Sequence, residues 1–446
     1  MISTATSGIK KNRMDWLLFF SVLALLTIGT LAIFSSVAVL PNQIRIVRTH
    51  LIAIPLGFAV FAVVWRLNYQ IFQDQWKFIY GAVLLALVGV LFFGVVDKGS
   101  RSWYHLPFFS IQPSEFSRIG LILVIANYLD KRIGKIKEFS VVFGALMLSL
   151  PVFLLLIKQP DFSAILITLP IILIMLFAAG ANPFHLAVIL GYSFISALFP
   201  ILWTIINLNP ELLDSPLVSY FFHLSNFGWS SLTFVFGVGA AAYLLWILSV
   251  KLYSNISGVF FGGAALVLIL GFFSGVMVEH QMKEYQQKRL EVFLSPESDP
   301  RGAGYNLLQA RIAIGSGGVL GKGIFSGTQS RLGFIPERHT DFILAVVGEE
   351  MGFWGTMLVM GLYVIILSRI RTCANLARDR FGYLVNCGIF GMFMVYFFIN
   401  SGMLLGLSPV AGVPLPLLSY GGSNLVATLI SLGLVQSIYA RRYALV

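Results

Sequence analysis

The sequence predicts an all-α polytopic membrane protein with about twelve transmembrane helices and one large loop outside the membrane. Three observations point there. The 446 residues are 58% hydrophobic and only 11% charged, with a mean hydropathy of +0.87, far more apolar than a soluble core of this length requires. Successive apolar runs reach the roughly 20 residues that a spanning helix needs. Basic residues gather in particular connections between those runs, as orientation by cytoplasmic Lys and Arg demands.

The first run, 15–37, follows Lys10, Lys11 and Arg13. It is too long for the apolar region of a cleaved signal and reads as a retained helix. Further runs lie at 46–66, 77–97, 113–130, 139–158, 161–180, 183–206, 231–252, 256–277, 341–369, 383–404 and 422–440. With a cytoplasmic N-terminus, three basic groups fall inside: Lys131, Arg132, Lys135 and Lys137; Arg369, Arg371, Arg378 and Arg380; and Arg441 with Arg442. An even count returns the C-terminus to the cytoplasm and puts 278–340 outside. The net charge of +11 then reads as membrane orientation, not as nucleic-acid binding. Cys373, in a basic connection, and Cys387, inside an apolar run, form neither a disulfide framework nor a metal set.

The outer loop carries Lys283, Lys288, Arg289, Arg301, Arg311, Lys322, Arg331 and Arg338, against the usual bias of positive charge. Either a loop this long escapes the orientation rule, or the charges hold an anionic ligand at the outer surface. Its apolar pieces, "LLQARIAIG" and "GIFSGTQSRLGFIPE", are too short to span and suit segments that fold back on the bundle. "GSGGVLGKG" looks like a phosphate loop, but Gly323 follows Lys322 where Ser or Thr belongs, so only a weaker anion nest survives. No HExxH, zinc pairing or GxSxG elbow is present.

Several polar residues admit two readings. Glu115 and Arg118, three apart on one helix face, either pair with each other or serve a site. Glu349 and Glu350 stand about two turns into a span, as a proton relay or as packing beside the basic loop. Asp299, in "PESDPRGAGY", is a turn residue or a general base.

Five stretches carry a resemblance: "KGSRSWYHL" with "IQPSEFSR" (98–118), "KQPDFSA" (158–164), "FLSPESDPRGAGYNLLQARIAIGSGGVLGKG" (293–323), "GTQSRLGFIPERHTDFILAVVGEEMGFWG" (327–355) and "GVPLPLLSYGGSNL" (412–425). In this order they resemble the SEDS family (shape, elongation, division and sporulation) over essentially the whole chain. "PESDPRGAGY" is similar to the elongation branch. Arg118 stands where that family's motif has Lys, which keeps charge but changes donor geometry. The family core has ten spans, so the resemblance marks 207–277 as an inserted loop and helix pair within one integral membrane domain, 1–446, with 278–340 as the catalytic loop.

The resemblance implies a multi-pass protein of the bacterial cytoplasmic membrane that polymerises lipid II at the outer face. The 4-hydroxyl of an acceptor GlcNAc attacks the anomeric carbon of the donor MurNAc, and undecaprenyl pyrophosphate leaves as a β-1,4 bond forms with inversion. Asp299 takes the role of base by its motif position, and a carboxylate near cations stays ionised at neutral pH. Arg101, Arg289, Arg301 and Lys322 are candidates for the pyrophosphate. Trp103 stacks on a sugar or anchors at the interface, while Glu115 and Arg118 orient the site. A divalent cation, Mg or Mn, suits such a leaving group, with no ligand set readable. The implied partners are the elongation machinery and a class B penicillin-binding protein that crosslinks the strands. A lipid II flippase, a division-type polymerase and a non-catalytic scaffold are the alternatives.

Overall fold

A computed structural model describes residues 14–97, 100–105, 110–224, 228–252, 257–299, 302–331 and 333–443. Arg301 lies outside the described residues. The chain forms two compact units, one of residues 1–181 and 306–446 and one of residues 182–305.

The first unit opens with α1 (Trp16–Val37), α2 (Gln43–Arg66), the short α3 (Gln70–Asp74) and α4 (Trp76–Phe93). Asp15 caps α1, its carboxylate accepting the Leu18 amide at 3.1 Å. A small antiparallel sheet follows, β1 (Val95–Asp97), β2 (Ser100–His105) and β3 (Ser110–Ile111), with β2 in the middle. Val95 pairs with Trp103 and Tyr104 with Ile111. The sheet ends the third apolar run early, because Val95 and Val96 continue its hydrophobicity while leaving the helix. α5 (Pro113–Asp130), α6 (Phe139–Lys158) and α7 (Phe162–Ala179) complete this half.

The second unit holds α8 (Pro183–Leu208), α9 (Pro216–His223), α10 (Trp229–Lys251), α11 (Gly258–Gln281) and α12 (Glu284–Leu294). Phe199 and Trp203 of α8, Leu224, and Phe272 and Val276 of α11 make its core, with the Phe199 ring stacked on Phe221 of α9 at 5.1 Å. The stretch 207–277 thus contains short helical turns and two long helices. α10 leaves nearly all its apolar surface uncovered, Trp229 85% and Phe236 75% exposed, as a helix facing lipid does.

α13 (Ala303–Gly317) begins in the second unit and continues into the first. Then come α14 (Thr328–Arg331), α15 (Ile343–Asn375), α16 (Arg380–Leu405) and α17 (Gly422–Ala440). Among the described residues, 11 helices are long and apolar enough to cross a membrane. The twelfth expected span is α5, present over the expected residues. It carries Glu115, Arg118 and Asp130 and is buried along nearly its whole length, so protein, not lipid, surrounds its charges.

The three basic groups stand at one end of the first unit. Arg369 pairs with Asp15 through Nε at 2.9 Å and NH2 at 2.7 Å. Asp379 accepts the Tyr69 hydroxyl at 2.7 Å, Gln73 donates to Asp130 at 3.0 Å, and Arg441 donates to the Arg66 carbonyl at 2.7 Å. α1, α5, α15 and α17 run from this end to the other, where the motif residues gather.

Candidate active site

At that second end, α5 begins with Pro113 at its first position, where the missing N–H costs nothing. Its first turn presents Glu115 and, one turn on, Arg118. Arg118 donates to Glu115 Oε2 at 2.6 Å, so the pairing legible in the sequence is present. Two distant partners join it: Tyr396 of α16 donates to the same oxygen at 2.7 Å and Asn424 of α17 at 3.1 Å. Arg118 also donates to the Tyr396 hydroxyl, and its guanidinium lies 5.3 Å from the centre of that ring. Glu115 is 6% and Arg118 2% exposed, so this is a closed polar network that fixes three helices. Arg118 Nε has no hydrogen-bond partner among the described residues.

Asp161 binds a second pair of segments. Its carboxylate caps α7 through the Ala164 amide at 3.1 Å and accepts Ser114 Oγ at 2.8 Å and Gln112 Nε2 at 3.0 Å. Asp161 stands in the motif "KQPDFSA", with no candidate role assigned to it from the sequence. The available signal was Asp immediately before an apolar run, the mark of an N-cap. Ser423 then closes α17 onto β3, donating to the Ser110 carbonyl at 2.6 Å and accepting the Gln112 amide at 3.0 Å. The Tyr420 amide donates to the His339 carbonyl at 2.8 Å. Segments 98–118, 158–164, 327–355 and 412–425 are therefore joined side by side by their own hydrogen bonds.

The glycine-rich stretch does something other than cradle phosphate. α15 breaks at Gly352, whose φ of 63° is left-handed, and the freed carbonyls of Glu349 and Glu350 accept the amides of Lys322 and Gly323, each at 3.0 Å. In return Phe353 donates to the Gly318 carbonyl at 2.9 Å. A Cβ on Gly352 would overlap the Gly321 backbone, so only glycine lets the two strands of chain approach this closely. The anion in the nest belongs to the chain itself. Glu349, fully buried, accepts Lys322 Nζ at 2.8 Å and the amides of Thr328, Gln329 and Ser330, each at 2.8 Å. Glu350 accepts the Ser35 hydroxyl of α1 and the Phe325 amide. Next to Ser35, the Ser36 carbonyl accepts Arg338 Nε. Arg338 is 3% exposed, and burial pushes its guanidinium below the ordinary arginine range.

The other nominated residues are placed as follows. Arg101 is exposed on β2 and donates to the Leu91 carbonyl in the last turn of α4 at 3.0 Å. Trp103 is half-buried in the same strand. Lys322, as above, is engaged by Glu349. Asp299 and Arg289 belong to the second unit. Asp299 is 9% exposed and follows a short 3₁₀ turn, Pro296–Ser298. Its carboxylate oxygen Oδ1 lies 3.6 Å from Lys288 Nζ on α12, and its carbonyl accepts the Tyr305 amide at 3.1 Å at the start of α13. A Cβ on Gly302 would overlap that carboxylate. Asp299 is thus both a turn residue, through its carbonyl, and a carboxylate beside a cation. Among the described residues no three His, Cys, Asp or Glu side chains gather to hold a metal ion.

The chain is 35% identical to the peptidoglycan glycosyltransferase RodA of Treponema pallidum, over 96% of this chain and 98% of that one. It is 31% identical to the peptidoglycan glycosyltransferase MrdB of Escherichia coli K12, over 97% and 95%. Its fold is similar to a chain solved in a study of how a peptidoglycan synthase complex coordinates polymerization and crosslinking, with a TM-score of 0.66, 27% identity, and 97% and 99% of the two chains covered. The cell cycle protein family model that unites FtsW, RodA and SpoVE matches residues 14–210 and 229–444, and the chain belongs to that family.

Proposed function

We propose that the chain is a peptidoglycan polymerase of cell elongation, an inverting glycosyltransferase that consumes lipid II. The observation that carries this reading is the match over nearly the full chain to relatives named peptidoglycan glycosyltransferases RodA and MrdB. Each part has a role in this reading. Asp299 accepts the proton of the acceptor GlcNAc 4-hydroxyl as that oxygen attacks the anomeric carbon of the donor MurNAc. The bond from that carbon to the pyrophosphate oxygen breaks, and its electron pair leaves with the undecaprenyl pyrophosphate. Lys288 Nζ lies 3.6 Å from the Asp299 carboxylate. Arg289 and Arg301, close to Asp299 in the chain, neutralise the leaving group. Arg101 and Lys322, already engaged by the Leu91 carbonyl and Glu349, rank behind them. The Glu115–Arg118–Tyr396–Asn424 network ties α5, α16 and α17 together within the first unit and does not react.

The three basic groups share one end of the first unit, which supports a cytoplasmic placement of that end and an extracytoplasmic site. The solved synthase complex supports a crosslinking transpeptidase as partner. Purified protein with labelled lipid II, with and without that transpeptidase, tests the reading on a glycan gel. Polymer is expected. Lipid movement across vesicles without polymer would replace the polymerase by a flippase.

A further inference from the structure

The basic residues at the proposed cytoplasmic end are not used alike. Arg369 is held by Asp15, and Arg441 caps chain carbonyls of α2. Lys131, Arg132, Lys135 and Lys137 contrast with them. All four are exposed in the short connection between α5 and α6, and none has a carboxylate within ion-pair distance among the described residues. The nearby acids are occupied: Asp130 accepts Gln73 Nε2 at 3.0 Å and Glu138 accepts the Ser140 hydroxyl at 3.1 Å.

This connection is built, not loose. Ile136 is buried and a 3₁₀ turn spans Ile133–Lys135. Two rings organise the cations: the Arg132 guanidinium lies 4.2 Å from the centre of Tyr128, and Trp76 has Lys131 at 5.8 Å and Lys77 at 5.9 Å. Both rings are half-buried at the ends of membrane-spanning helices, the level of lipid headgroups. Lys77, Lys131 and Arg132 are held against these rings, with Lys135 and Lys137 exposed in the same short connection, and so concentrated a positive charge attracts an anion.

We propose that Lys77, Lys131, Arg132, Lys135 and Lys137 form a binding surface for the phosphate groups of anionic phospholipids, with Trp76 and Tyr128 seated at the boundary between headgroup and acyl chain. The connection is too short to leave the membrane surface, so a lipid phosphate reaches it where an acidic protein would have to insert between headgroups. The proposal rests on α4, α5 and α6 spanning the bilayer, and it stands apart from glycosyl transfer.

The test uses the full chain purified in neutral detergent, with phosphatidylglycerol or phosphatidylcholine added, and counts retained lipid by native mass spectrometry. Wild type should retain phosphatidylglycerol preferentially. The triple variant Lys131→Gln, Lys135→Gln, Lys137→Gln should lose about fivefold in that affinity per neutralised cation, while Arg371→Gln, Arg378→Gln, Arg380→Gln, a triple around the α15–α16 connection with no cation–ring contact among the described residues, should lose less per cation. Should the first triple fail to fold, Lys135→Gln and Lys137→Gln singly carry the same comparison. Equal retention of the two lipids by wild type, or equal losses in both triples, overturns the proposal. Neither result bears on polymerisation, which is read from lipid II separately.

Discussion

Lys322 Nζ lies 2.8 Å from Glu349 Oε1, and the Glu349 carboxylate receives three backbone amides as well. The carboxylate therefore organises residues 322–330 more than the ion pair does. Lys322 is 26% exposed and Glu349 fully buried, so solvent screens the charge term while the amides have no alternative partner. Glu349→Ala should cost about 3 kcal/mol, the range for leaving buried partners uncompensated, and Lys322→Met under about 1 kcal/mol. Thermal unfolding in detergent, with limited proteolysis of 318–330, compares them. Equal losses would show that the ion pair, not the amide set, holds the loop.

The break in α15 makes a second prediction. Gly352 has φ 63° and faces Gly321, φ 80°, backbone to backbone. Gly352→Ala meets both the left-handed strain and the overlap, so it should undock 318–323 and lower stability by more than about 1 kcal/mol. Hydrogen exchange at the Lys322 and Gly323 amides reads this locally. Protection unchanged from wild type would mean that the two segments do not pack as described.

Much of the architecture was legible because spans announce themselves by length and by charged ends. The runs 139–158 and 422–440 coincide with α6 and α17 to the residue. α15 runs past its expected end at 369, since Arg369, read as the start of a basic connection, is a helical residue whose charge Asp15 meets. The strands β1 to β3 were not legible, because β1, two valines and an aspartate at the end of a helix, is too short to show a period of its own. In the site, Glu115 and Arg118 paired as their i, i+3 spacing suggests, but Tyr396 and Asn424 are hundreds of residues away and no local pattern links them. The glycines of 315–323 signalled close approach without saying to what. The answer, a broken helix, depends on tertiary packing.

The buried network on α5 should behave as a unit. Arg118→Met leaves the Glu115 carboxylate buried with only Tyr396 and Asn424, and a loss of about 3–5 kcal/mol is expected. Glu115→Gln in the same chain removes the stranded charge and should recover part of that loss, giving a coupling energy above about 1 kcal/mol in a double-mutant cycle. Arg118→Lys keeps the charge but loses the planar guanidinium 5.3 Å from the centre of the Tyr396 ring, and should fall between wild type and Arg118→Met. Additive single-variant effects would mean that the pair is not coupled.

Two substitutions separate the charge of Asp299 from its placement. Asp299→Asn retains the shape and the carbonyl that receives the Tyr305 amide but cannot take a proton, so polymer formation from lipid II should fall by about 10²- to 10⁴-fold with unfolding temperature little changed. Gly302→Ala leaves the carboxylate in place chemically and pushes a methyl group into it. If Asp299 acts as the base from its present position, Gly302→Ala should also reduce the rate strongly, because a general base must stay within hydrogen-bond reach of the hydroxyl it deprotonates. Full activity in a folded Asp299→Asn protein would remove Asp299 from the reaction, and full activity in Gly302→Ala would show that the carboxylate relocates freely before it acts.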